Sequence, residues 1–79
     1  IGHDARIEDF VTIYPGANIS GRVFIGECAE LGTGMQVIQG KKICQGSRVG
    51  AGAVVVRDIV EEGTYAGVPA KRLEIKETI

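Results

Sequence analysis

The chain has 79 residues, 9 Lys and Arg against 10 Asp and Glu, and a formal net charge of −1. Positive and negative residues are interspersed, which excludes the basic stripe that a nucleic-acid partner needs. The longest apolar run, over residues 53–56, is far too short to span a membrane.

At this length one domain, or part of one, is expected, and a chain so short is marginal as an independent core. Cys28 and Cys44 are 16 positions apart. That spacing does not suggest a disulfide, and two free thiols fit a reducing cytoplasm.

From Ile1 a branched aliphatic residue recurs every sixth position: Ile7, Ile13, Ile19, Ile25, Leu31, Val37, Ile43, Val49 and Val55. Four places after each stands a residue that is mostly small or β-branched, among them Ala5, Val11, Ala17, Val23, Ala29, Ser47 and Ala53. A period of six fits neither an amphipathic helix nor an alternating hairpin strand. It is a signature of a parallel β-helix. Three hexads make the three sides of a triangular coil, so residues 18 apart stack at about 4.8 Å and coils run over 1–18, 19–36 and 37–54. Ile1 already holds a repeat position, so earlier coils are expected before it. Each coil touches only its neighbours, and self-association is expected to bury what the coils leave open.

Gly16, Gly34 and Gly52 share one column, as corners with positive φ require. Lys41 occupies the small inward phase, where an unpaired lysine is almost never fully buried. Either the corner at Gly40 bulges there or Lys41 snorkels outward. After Val55 the rhythm stops. The β-helix is thus read over 1–60. An extended arm runs from Tyr65 to Ala70 within 61–79, and a short helix over residues 71–78 completes the chain. Pro69 supports the extended arm, which is expected to cover the open edge of the last coil.

This lattice resembles the hexapeptide-repeat acyltransferases. The end of the chain, residues 50–56 followed by Gly67-Val68-Pro69-Ala70-Lys71, is common in that family. More narrowly, Gly2-His3-Asp4, Ile7-Glu8-Asp9-Phe10, Pro15-Gly16-Ala17 and Ser20-Gly21 resemble the sugar acetyltransferases of the sialic-acid and bacillosamine type. The resemblance implies an all-β fold, a left-handed parallel β-helix. Handedness comes from the family alone, because the general crossover preference is right-handed.

His3 is the only histidine and falls at a corner, with Gly21 one coil later. Acetyl transfer from a thioester to an amine or hydroxyl needs a base for the acceptor's proton, and imidazole exchanges protons near neutral pH. The resemblance makes His3 that base and Asp4 the acidic neighbour that raises its basicity. It also makes the Gly21 N–H a donor to the oxyanion. Acetyl-CoA is then the co-substrate, held at Thr12, Gly21, Thr33 and Ala51 in a groove between two adjacent prisms of a homotrimer. Many family members have a second histidine where Thr12 stands, and Thr12 can still donate one hydrogen bond. Lys71 and Arg72 could meet the coenzyme phosphates.

Cys28 and Cys44 read as structural, since no histidine is in phase with either, and Tyr14 and Phe24 as packing or subunit-interface residues. No metal is expected: the β-helical carbonic anhydrases need two histidines from one chain. The reading is a cytoplasmic acetyltransferase acting on an amino group or hydroxyl of a sugar or nucleotide-sugar. The alternatives are an acetyltransferase of the same fold acting on serine, a simple sugar or an antibiotic, and a non-catalytic β-helical assembly scaffold.

Overall fold

The computed structural model describes residues 2–73. Eleven short strands follow one another in chain order. The first nine are β1 (Arg6–Ile7), β2 (Thr12–Ile13), β3 (Asn18–Ile19), β4 (Phe24–Ile25), β5 (Glu30–Leu31), β6 (Gln36–Val37), β7 (Lys42–Ile43), β8 (Arg48–Val49) and β9 (Val54–Val55). They are followed by β10 (Thr64–Ala66) and β11 (Lys71–Arg72). The strands stack into three sheets, ordered β1-β4-β7, β11-β10-β8-β5-β2 and β3-β6-β9. Within the coils every pairing is parallel and joins residues 18 apart, such as Ile7 with Ile25 and Ile25 with Ile43. The architecture is a left-handed parallel β-helix of about three turns.

The hexad drives this arrangement because its aliphatic residue is the one that faces the axis. Ile25, Leu31 and Ile43 are fully buried, as are Ala29 and Ala53 at the small inward position. Small residues there let three sheets close on so narrow a core without overpacking. Ser47 is the one buried polar residue among those described. Its hydroxyl lies 3.0 Å from the Cys44 thiol, so the polar group is not left without a partner.

Corners fall at residues 2–4, 20–22 and 38–40 (corner one), 8–10, 26–28 and 44–46 (corner two), and 14–16, 32–34 and 50–52 (corner three). The rungs are tight at these turns: a Cβ added to Gly32 would lie 2.7 Å from the Ala51 nitrogen. The last residue of each corner is left-handed. Glycine supplies this at every rung of corner three, but Asp4, Phe10, Arg22 and Cys28 adopt φ of 59°, 62°, 58° and 63° at corners one and two. For a residue other than glycine that conformation costs about 1 kcal/mol.

At Lys41 the ladder is intact. Phe24 N–H donates to the Lys41 carbonyl at 3.0 Å, and Phe24 pairs with Lys42 in register. The corner therefore does not bulge. Lys41 is half-buried, as a snorkelling stem with a solvated ammonium would be.

The winding does not end with Val55. Ile59 bridges to Ile43 and is buried, and β10 adds to β8 with Thr64 opposite Arg48. These partners are 16 apart, so the last turn is two residues shorter than those below it. The chain then reverses, and β11 pairs antiparallel to β10, with Tyr65 opposite Arg72. The segment from 67 to 70 lies along β9, where Val54 N–H donates to the Gly67 carbonyl and Ala70 N–H to the Val54 carbonyl. Arg72 fastens the arm with Nη1 2.9 Å from a Glu61 carboxylate oxygen, while the Tyr65 hydroxyl donates to the Glu61 carbonyl at 2.7 Å. The arm thus lies along the last coil; of the stretch expected to be extended, Tyr65 and Ala66 belong to β10 and residues 67–70 form a turn. The helix expected from residue 71 is corrected at its start, because Lys71–Arg72 is a strand held by Tyr65 and Ala66. Residues 74–79 of that expectation lie outside the described residues.

Candidate functional site

Corner one stacks His3, Gly21 and Gln39 on successive rungs. Arg22 N–H donates to the His3 carbonyl at 2.9 Å, and Gly40 N–H to the Gly21 carbonyl at 3.0 Å. A Cβ on Gly21 would stand 3.0 Å from the His3 carbonyl oxygen, so a side chain there would crowd the rung below. The Gly21 N–H donates to no acceptor among the described residues. His3 and this amide are therefore neighbours along one edge of the prism, as the 18-residue step predicts.

The His3 side chain is 96% exposed and that of Asp4 63%, with His3 Nε2 3.5 Å from Asp4 Oδ2. A separation of 3.5 Å in water is a loose contact, weakened further by screening. The arrangement leaves the imidazole accessible to an acceptor. It also leaves room for a covering surface that would strengthen the pairing with Asp4 by excluding water.

Thr33 and Ala51 stack on corner three, where Gly52 N–H donates to the Thr33 carbonyl at 2.9 Å. Thr12 is not at a corner at all: it lies in β2, exposed, opposite Glu30. A single chain brings together His3, Asp4 and Gly21, and separately Thr33 and Ala51, while Thr12 stands on a sheet face. The strands β3, β6 and β9 separate the two corners. No one protomer assembles all six residues.

A cleft of about 380 Å³ opens between the end of β9 and the arm, lined by Val56, Arg57, Pro69, Ala70 and Lys71. Arg57 follows His3 by three 18-residue steps, so the edge that begins at the imidazole leads toward this basic cleft. The rungs span roughly 14 Å, three spacings of about 4.8 Å each. Arg57 was not singled out from the sequence, although its phase with His3 was legible there. Among the described residues the cations that line the cleft are Arg57 and Lys71, while Arg72 is held by Glu61. A second cleft, at corner two, is lined by Glu27, Cys28, Gln45, Gly46 and Glu62, a poor setting for an anion. Among the described residues no three His, Cys, Asp or Glu side chains are grouped to hold a metal ion.

No family model matches the chain. Perosamine N-acetyltransferase of Caulobacter crescentus, a histidine-to-asparagine mutant solved with CoA and GDP-perosamine, is 39% identical, with a TM-score of 0.92 over 95% of this chain and 36% of that one. The acetyltransferase domain of PglB from Neisseria gonorrhoeae, solved also with acetyl coenzyme A, is 46% identical, with a TM-score of 0.88 over 90% of this chain and 35% of that one. Serine acetyltransferase of Mycobacterium tuberculosis is 34% identical over 90% of this chain and 34% of its own length. The chain spans about a third of the length of these relatives. Relatives and neighbours alike support the hexapeptide-repeat acyltransferase resemblance, without separating its branches.

Proposed function

We propose that this chain is the β-helix of a hexapeptide-repeat acetyltransferase that moves an acetyl group from acetyl-CoA to an amino group of a sugar, carried on a nucleotide. The observation behind the reading is one edge of the prism: an exposed imidazole at His3, the free Gly21 N–H one rung on, and the Arg57–Lys71 cleft at the far end. A solved neighbour bound to CoA and GDP-perosamine supports a nucleotide-linked amino sugar as the acceptor.

The coenzyme lies along this edge with its phosphates toward Arg57 and Lys71 and its thioester at Gly21. His3, through Nδ1, the ring nitrogen that does not face Asp4, takes a proton from the acceptor amine as the amine nitrogen attacks the thioester carbonyl. The Gly21 N–H receives the negative charge that forms on the oxygen. When the tetrahedral intermediate collapses, the carbon–sulfur bond breaks and the imidazolium returns its proton to the thiolate. Asp4, 3.5 Å from Nε2, stands beside the ring on which the positive charge forms. Thr33, Ala51 and Thr12 reach the coenzyme from a neighbouring protomer of a cytoplasmic homotrimer, because one chain cannot bring them to His3.

A panel of nucleotide-linked amino sugars, free amino sugars and serine, assayed for acetyl-CoA-dependent thiol release, tests this reading. The nucleotide-linked sugars are expected to react fastest. Fastest turnover of serine would transfer the assignment to the serine acetyltransferases, which the 34% identical relative favours. Neither thiol release nor saturable coenzyme A binding by calorimetry would leave only a scaffold. Arg57→Ala and Lys71→Ala are each expected to raise the KM for acetyl-CoA roughly three- to tenfold, the weight of a solvent-exposed charge-assisted hydrogen bond to phosphate. Initial-rate measurements at saturating acceptor check this.

A further inference from the structure

Arg22 occupies an unfavourable place. It adopts a left-handed φ of 58°, a conformation that aspartate or asparagine tolerates through local hydrogen bonds and arginine does not. The next rung of the same corner has Gly40 at this position. Arg22 is exposed, and among the described residues it makes no ion pair. It stands one rung above Asp4, with its own N–H on the His3 carbonyl. Phe10 and Cys28 share the left-handed conformation, so what sets Arg22 apart is a free, exposed cation at the corner that holds the candidate reaction centre.

Lys41 and Lys42 follow on the next rung, and neither forms an ion pair among the described residues, whereas Arg6 is taken up by Glu8 at 3.6 Å. Corner two, on the other side of the β1-β4-β7 sheet, carries Glu8, Asp9 and Glu27. On the side of this sheet nearest His3, Arg22 and Lys41 stand near Asp4 and Asp58, and the Asp58 carboxylate accepts the Lys42 N–H at 2.9 Å.

We infer that Arg22 is a specificity-determining residue: its guanidinium receives a phosphoryl group of a nucleotide-linked acceptor while the acceptor amine faces His3. The inference rests on the acetyltransferase reading and deepens it by giving the acceptor an anion. The coenzyme phosphates are a poor match for Arg22. A thioester at Gly21 places them a pantetheine length away, toward Arg57 and Lys71. A sugar diphosphate is only a few bonds from a ring amine, within reach of one arginine side chain. Guanidinium binds phosphate oxygens bidentately, which fixes orientation as well as affinity.

The test compares Arg22→Asn and Arg22→Lys with the wild type in the complete protein. Asparagine keeps the left-handed corner, so loss of folding does not confuse the result. Each form is assayed with a nucleotide-diphosphate amino sugar, the same amino sugar free, and serine, whose carboxylate is the other source of an acceptor anion. Arg22→Asn is expected to raise the KM for the nucleotide-linked acceptor tenfold or more and to reduce its kcat/KM preference over the free sugar by the same factor. Arg22→Lys should recover part of that preference. An unchanged preference in an active enzyme would overturn the role of Arg22 alone, as would a rise confined to the KM for acetyl-CoA. A loss seen only with serine would overturn the phosphoryl assignment in favour of a carboxylate. Wild-type protein that releases no thiol with any acceptor would overturn the acetyltransferase reading itself, and this inference with it.

Discussion

Replacing His3 with alanine is expected to lower kcat for acetyl transfer by about 10²- to 10⁴-fold, the range that a positioned general base contributes. The KM for acetyl-CoA should move little, because the proposed coenzyme position lies along the edge beyond His3. The structure makes this substitution a clean one. The imidazole is 96% exposed and its described side-chain partner is Asp4 at 3.5 Å, so its removal opens no cavity and strands no buried group. Circular dichroism and the melting temperature should therefore match the wild type. Single-turnover measurement of acetyl transfer in the complete protein separates chemistry from product release. A kcat within threefold of the wild type would show that the acceptor loses its proton elsewhere.

The second large effect concerns stability. Leu31 sits in β5, an interior strand of its sheet, between Ile13 below and Val49 above, and is fully buried. Leu31→Ala is expected to destabilise the fold by about 2–5 kcal/mol, combining lost transfer energy with the cavity left behind. For a fold of about 5–15 kcal/mol in total, that is a large fraction. Relaxation is limited because three sheets converge on the axis and the hydrogen-bonded ladder holds each rung at fixed spacing. Val60 provides the comparison: it is 79% exposed, and Val60→Ala should stay within about 0.5 kcal/mol of the wild type. Urea unfolding monitored by circular dichroism reads both. A cost below 1 kcal/mol for Leu31→Ala would mean that the axis is not the stabilising core described above.

The sequence was most legible where a structural feature repeats locally. Ile25, Leu31 and Ile43 each mark an inward position within their own hexad, and no long-range information was needed to place them. The adjacency of His3 and Gly21 followed from the same arithmetic. Handedness did not, since a period of six is silent on the sense of winding and only the family resemblance supplied it. The last turn was illegible for a different reason. Ile59 and Tyr65 are set over Ile43 and Val49 by a 16-residue step, so a search at 18 passes over them. The polarity of β11 is likewise decided by its pairing with Tyr65 and Ala66, which the basic, short-range pattern around Lys71 does not encode. For the candidate site, Lys71 was visible as a cation near the arm. Its partner Arg57 emerged only when the arm's return path enclosed the cleft, and the same path committed Arg72 to Glu61.

That return path also affects how the protein behaves in a crowded solution. A stack of parallel rungs is an open template, and a bare terminal rung would invite another chain to continue it, as in fibrils. Here the final strand of the largest sheet runs against the direction of those beneath it, so an incoming copy finds reversed polarity where the lattice would otherwise repeat. Loosening the reversal, by cutting the Arg72–Glu61 tether for example, would restore a growth-competent end. Polymerisation, rather than simple unfolding, is the failure that such a lesion should produce.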